Sequence, residues 1–112
     1  MLPKKAKVSR ELAKHIRASG KNFYGAYMTL RTVKIKKEQH TFSFIVSKKV
    51  TVLATERNIL KRRGYAIIAT LQKDILPHTA ALFFVKKEAA QASFSDLEKD
   101  IKELLVKSKI LR

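Results

Sequence analysis

The spacing of hydrophobic residues changes several times along the chain, and each change marks an element. Leu12 and Ile16, four positions apart, give a short helix one apolar stripe. Ser9 is placed as its N-cap, the helix runs across Arg10 to Ser19, and Gly20 is placed to end it as a left-handed C′ residue. From Phe23 to Ile35 β-branched and aromatic residues predominate. Within that run Tyr27-Met28-Thr29-Leu30-Arg31 alternates, which predicts a half-exposed strand. Lys36-Lys37-Glu38-Gln39 reads as a turn, and the stretch from Thr41 to Ser47 has a period of two that turns Phe42, Phe44 and Val46 inward. These two strand runs are expected to pair as a hairpin.

After Val50 the period becomes helical. Leu60, Gly64, Ile67 and Leu71 share a narrow sector at about 100° per residue, with Asn58 and Arg62 on the opposite side. Pro77 and His78 mark the exit, and Ala81-Leu82-Phe83-Phe84-Val85 has the composition of a buried strand. Ser95 with Glu98 three residues later matches a capping box, and Leu97, Ile101, Leu104 and Leu105 then line one face of a last helix. The pattern predicts one α+β domain over residues 1–112, in the order α-β-β-α-β-α, with a sheet packed against helices. Residues 1–8 are expected to form a flexible basic start. Strands joined through the central helix would be parallel if adjacent, with a right-handed crossover by default.

Charge changes this picture from a fold to a partner. The chain carries 25 Lys and Arg against 9 Asp and Glu, a net charge of +16, and such self-repulsion points to a polyanion. Residues 1–63 hold 17 basic and 3 acidic side chains, whereas residues 64–112 hold 8 and 6, which assigns the binding surface mainly to the first part. Cysteine is absent, excluding disulfides and thiolate metal sites. Nowhere do 18 apolar residues run together, so the expectation is a soluble cytoplasmic protein with no membrane partner. His15, His40 and His78 are scattered without metal-ligand spacing, and no phosphate-loop glycine pattern occurs. Asp96, Glu98, Asp100 and Glu103 read as solvent-facing or dipole-complementing acids of the last helix. Neither catalytic nor metal-binding residues are assigned to the chain.

The basic residues concentrate around the start of the central helix. Arg57, Asn58, Lys61, Arg62 and Arg63 form one cluster, with Lys48 and Lys49 as a pair upstream, and only Glu56 offers local neutralisation. Arginine forks grip phosphate, lysine adds mobile charge, and asparagine can reach phosphate, a base edge or a 2′-hydroxyl.

At these residues the chain resembles the bacterial ribonuclease P protein family. Ser47-Lys48-Lys49-Val50 matches its segment leaving a strand, Arg57-Asn58 the start of its Arg-Asn-Arg motif, and Lys61-Arg62-Arg63 its basic triplet. Leu2-Pro3-Lys4-Lys5 and the Ser93-Phe94-Ser95-Asp96-Leu97 segment also look like the family's two ends. The chain departs from the pattern as a divergent member would. Ile59 stands in place of the motif's second arginine, Val52 and Leu53 replace charged or small residues, and Leu12, Ala13, Ile16 and Arg17 replace phenylalanines of the first helix.

The resemblance implies a sandwich like the second domain of ribosomal protein S5, with a left-handed βαβ crossover. It implies the protein subunit of ribonuclease P, which assists endonucleolytic removal of the 5′ leader from precursor tRNA. Catalysis, and the Mg2+ it requires, would lie mainly with the RNA. The protein would be a monomer within the ribonucleoprotein. Lys48, Lys49, Arg57, Asn58, Lys61, Arg62 and Arg63 would contact the catalytic RNA. The precursor tRNA leader would lie along the first helix and the outer sheet face, where Lys14, Arg17, Tyr27, Arg31 and Lys86 are the candidates, Tyr27 and Arg31 replacing the missing aromatics. A structural ribosomal or general RNA-binding protein without a role in cleavage is the alternative that charge and size also permit.

Overall fold

The computed structural model describes residues 8–38 and 40–111. Its elements are α1 (Arg10–Ser19), β1 (Lys21–Tyr24), β2 (Met28–Lys34), β3 (Thr41–Ile45), α2 (Ala54–Leu71), β4 (Thr79–Val85) and α3 (Phe94–Lys107). Short 3-10 turns at Gln72–Asp74 and Lys87–Gln91 precede β4 and α3. The domain is α+β, as the period changes require, but two pairings differ from expectation.

The run from Phe23 to Ile35 is not one strand. The chain folds back at Gly25, Ala26 and Tyr27, so β1 pairs antiparallel with β2. Asp100 of α3 fixes this reversal, accepting from the N–H groups of Ala26 at 2.8 Å and of Tyr27 and Met28 at 3.0 Å each. The carboxylate is buried, not solvent-facing as its neighbours on the helix suggested. Its partners are three backbone donors far away in sequence, which is why no local turn signal marks the bend.

The expected hairpin of β2 with β3 also does not form. The strand order is β1-β2-β4-β3, so β4 separates the two, antiparallel to β2 and parallel to β3. β4 takes the interior because both of its faces are apolar. Ala81, Phe83 and Val85 enter the main core with α2 and α3, while Ala80 and Leu82 meet Ile16 of α1 on the other side. Phe42, Phe44 and Val46 of the β3 segment point into the main core as expected. The β3–α2–β4 connection joins parallel neighbours.

α2 buries Leu60, Gly64, Ile67 and Ile68. Gly64 is required by close approach, since a Cβ there would lie 2.6 Å from the Phe44 ring, which itself stacks on Phe83 at 4.7 Å. The helix ends at Leu71 rather than near Pro77, because the chain tightens into the 3-10 turn and then pairs Ile75 with Leu111. Gly20 ends α1 in extended conformation (φ −73°, ψ 162°), not left-handed; the space beside it is filled by Arg31, whose Cγ would be 2.7 Å from a Cβ. The capping box of α3 is Ser93 with Asp96, two residues before the Ser95–Glu98 pair. Both share the same spacing, and the earlier one adds two residues to the helix. The expected flexible start and its Leu2-Pro3-Lys4-Lys5 segment lie outside the described residues except for Val8, whose N–H donates to Ser43 Oγ at 3.0 Å.

Candidate nucleic-acid interface

Strand register places a row of side chains across the sheet. Tyr24 pairs with Thr29, Thr29 with Phe84, and Phe84 with Ile45, so the four occupy one line over all four strands and share the α1 face. α1 covers the neighbouring part of that face, where Ile16 packs with Ala80 and Leu82. The row lies at the edge of this cover. Tyr24 is 63% exposed and Phe84 half-buried, while Arg17 holds its guanidinium carbon 6.0 Å from the centre of the Phe84 ring. The strip beside α1, a groove by its position at the helix edge, carries one exposed aromatic ring, Tyr24, and one half-buried ring, Phe84, with a cation over the latter, an arrangement suited to stacking bases of a single strand.

The row ends at Ile45, the last residue of β3. From there the chain leads through exposed Lys48 and Lys49 to the start of α2, so the groove and the basic segment adjoin at one end of the sheet. On α2, Asn58 and Arg62 are exposed and Lys61 and Arg63 half-buried; none makes a side-chain hydrogen bond or ion pair among the described residues. Their donors are therefore available to a partner. Arg57 differs, because its Nη1 donates to the carbonyls of Thr51 and Val52 at 3.0 and 2.9 Å. Thr51 Oγ1 in turn donates to Glu56 at 2.6 Å. These bonds shape the loop that presents the lysine pair.

At 100° per residue the cluster does not share one face. Arg57 and Lys61 flank the buried Leu60 stripe on the β3 side, where Tyr65 meets Phe44 edge-on at 5.1 Å. Arg63 flanks it on the other side, lining a small hollow with Glu56, Ile59 and Ala90. The cations thus wrap around the exposed part of the helix, as contact with several phosphates requires.

Of the five leader-groove candidates, the structure brings only Arg17 to the aromatic row. Arg31 lies on that face, but its guanidinium is engaged by the Ile16 carbonyl at 2.9 Å, the Arg17 carbonyl at 2.8 Å and Asn22 Oδ1 at 2.7 Å, closing the C-terminus of α1. Tyr27 sits in the β1–β2 turn and packs against the main core on the α2–α3 side. Lys86 donates to the Gly25 carbonyl at 2.6 Å, bracing the same turn. Lys14 is exposed nearly opposite Ile16 around α1, away from the sheet. Tyr24 and Phe84 escaped the reading of the sequence. Phe84 was absorbed into a continuous apolar run, and only its register with Thr29 shows that it faces the groove.

Among the described residues no three His, Cys, Asp or Glu side chains gather as metal ligands. No described helix is long and apolar enough to cross a membrane.

A family model described as Ribonuclease P matches residues 2–109. The chain is 31% identical to the ribonuclease P protein component of Pseudanabaena sp., covering 99% of this chain and 97% of that protein. It is 27% identical to that of Clostridioides difficile over 90% and 85% of the two chains. In fold it is similar to a Staphylococcus aureus RNase P protein mutant, with a TM-score of 0.88 at 17% identity over 96% and 92% of the chains. The RNase P protein of Thermotoga maritima gives 0.82 at 20% identity over 90% and 96%.

Proposed function

The chain belongs to the Ribonuclease P family, and on that premise we propose that it is the protein component of ribonuclease P, binding the catalytic RNA through α2 and the precursor tRNA leader through the Tyr24–Phe84 row. The observation that carries the reading is the adjacency of two unlike surfaces. A groove with aromatic faces suits an unpaired strand, and the cations Lys48, Lys49, Lys61, Arg62 and Arg63 beside it, which make no ion pair among the described residues, suit a folded RNA's backbone together with the Asn58 amide.

The chain's own contribution is positioning. Stacking on Tyr24 and Phe84 contributes roughly 1–3 kcal/mol per base and tolerates any sequence, so a leader can be held without selecting which leader it is. Arg17 adds charge above the same row. On this reading the Mg2+ that cleavage requires would be held mainly by the RNA, where it would supply an activated water and charge stabilisation at the leaving oxygen. The protein acts in the cytoplasm as a monomer within the ribonucleoprotein. A purely structural ribosomal role is not favoured by the family match.

The test compares holoenzyme reconstituted with a bacterial ribonuclease P RNA for binding of precursor and mature tRNA. The precursor is expected to bind more tightly, and Tyr24→Ala with Phe84→Ala to narrow that difference by tenfold or more, as stacking energies imply. An undiminished preference in the folded double variant would remove the leader from this groove.

A further inference from the structure

We propose that a second cleft, at the opposite end of the sheet, binds single-stranded RNA independently of the aromatic row. It lies where the N-terminus of β1, the C-terminus of β2 and the C-terminus of α3 converge, and has a volume of about 730 Å³. Lys21, Lys34, Lys107 and Lys109 line it around Phe23 and His78, and none of its lining residues is acidic. By strand alternation Lys21, Phe23 and Lys34 point to the α3 side of the sheet, the reverse of the face that carries Tyr24 and Phe84. On β1 the cleft's Phe23 is next in sequence to Tyr24 of the row, but the two side chains point to opposite faces of the sheet, and this separates the sites.

Four lysines converging with no acidic side chain among the described lining residues oppose folding, which points to an anionic occupant. Lys21, Lys34 and Lys109 make no side-chain hydrogen bond or ion pair among the described residues. Lys107 donates one bond, to the Tyr24 carbonyl at 3.4 Å, and an ammonium has two more donors. The two non-glycine residues with left-handed φ among the described residues, His78 and Lys109, both line this cleft at φ 61°. Lys109 takes it as the left-handed residue that closes α3, with its N–H donating to the Val106 carbonyl and the Ile110 N–H to that of Leu105 at 3.0 Å each, and His78 takes it where the chain turns into β4.

The cleft's volume falls in the range of roughly 300–1,000 Å³ typical of pockets for one small ligand, admitting nucleotide units of a single strand rather than a duplex. Phe23, Pro77 and Ile110 supply apolar surface beneath the lysines. Phosphates outside with a base inside is the chemistry this combination accepts. Charge along the sequence hides the site, because Lys107 and Lys109 belong to the nearly neutral part of the chain and meet Lys21 and Lys34 only in the fold. The inference rests on the chain being an RNA-binding subunit, and its test is separate from tRNA cleavage.

The probe is an oligouridylate of about twelve nucleotides, within the range of single-strand site sizes. Titrated into isotope-labelled protein, it is expected to shift the amides of Lys21, Lys34 and Lys109. In Lys21→Gln/Lys34→Gln, the slope of log affinity against log salt should fall by about 1.4, at roughly 0.7 per lost contact. Both positions are exposed, and an unchanged melting temperature verifies the fold. Unmoved amides in the wild-type protein, or an unchanged slope in the folded variant, would overturn the cleft while leaving the family function intact. Amide shifts with polyglutamate and none with oligouridylate would overturn it equally, by assigning the cleft to an acidic protein. Failure to assist cleavage despite the expected shifts would instead count against the subunit reading alone.

Discussion

Asp100 Oδ2 accepts a hydrogen bond from the backbone N–H of Met28 at 3.0 Å, and this contact ties the last helix to the first residue of β2. The same carboxylate holds Ala26 and Tyr27, so the reversal that creates β1, and with it the position of Tyr24, depends on α3. Asp100→Ala leaves three backbone donors without their acceptor. Only the Met28 donor is fully buried, the other two being part-buried, so at roughly 1–3 kcal/mol for an unsatisfied buried group the expected loss is about 2–3 kcal/mol in urea denaturation, with Asp100→Asn intermediate. A loss under about 1 kcal/mol would mean that water replaces the carboxylate.

Arg31 is expected to behave as a helix cap and not as an RNA contact. Arg31→Met removes three donors aimed at Ile16, Arg17 and Asn22. Stability should fall by about 1–3 kcal/mol, as for hydrogen bonds to charged groups, and α1 amides should exchange faster. The salt dependence of RNA binding should not change. A reduced slope in the folded variant would return Arg31 to the interface.

Arg57 and Arg62 separate in the same way. Arg62 is exposed and makes no hydrogen bond or ion pair among the described residues, so Arg62→Ala should lower the log-log salt slope of binding to a folded RNA by roughly 0.9 without altering stability. Arg57→Ala should also destabilise the protein, since two carbonyls of the Thr51–Val52 loop lose their donor. Equal melting temperatures for the two variants would show that the loop does not need this brace.

His40 makes stability depend on pH. Burial pushes its pKa below the ordinary 6.5, and its ring lies 5.4 Å from that of Phe42. The unfolded chain takes up the proton more readily, so stability is complete above the unfolded value and declines as pH falls through it. Between about pH 8 and pH 5 the wild-type protein should lose more stability than His40→Gln. Identical losses would place the sensitivity at other groups.

Much of the fold was legible because periodicity reports burial directly. The residues inferred to face inward, from Phe42 and Phe44 to Leu60, Ile67, Leu97 and Leu104, are buried. Pairing was less legible, since periodicity says which face is apolar but not which strand lies alongside. β4 displaced the expected β2–β3 hairpin on the strength of being apolar on both faces. The same limit governed the groove. Basic residues on α2 declare themselves as a run, whereas Arg31 and Lys86 look like RNA contacts until their carbonyl partners are known. Tyr24 and Phe84 become neighbours of one row only through register.

The central claim, that this chain is the protein component of ribonuclease P, is most directly tested by cleavage of precursor tRNA. Purified protein is added to a bacterial ribonuclease P RNA at magnesium too low for the RNA to act well alone. The wild-type chain is expected to stimulate 5′ leader removal strongly, and Lys61→Ala/Arg62→Ala to lose most of that stimulation while remaining folded. Folded wild-type protein that binds the RNA and leaves the cleavage rate unchanged would contradict it.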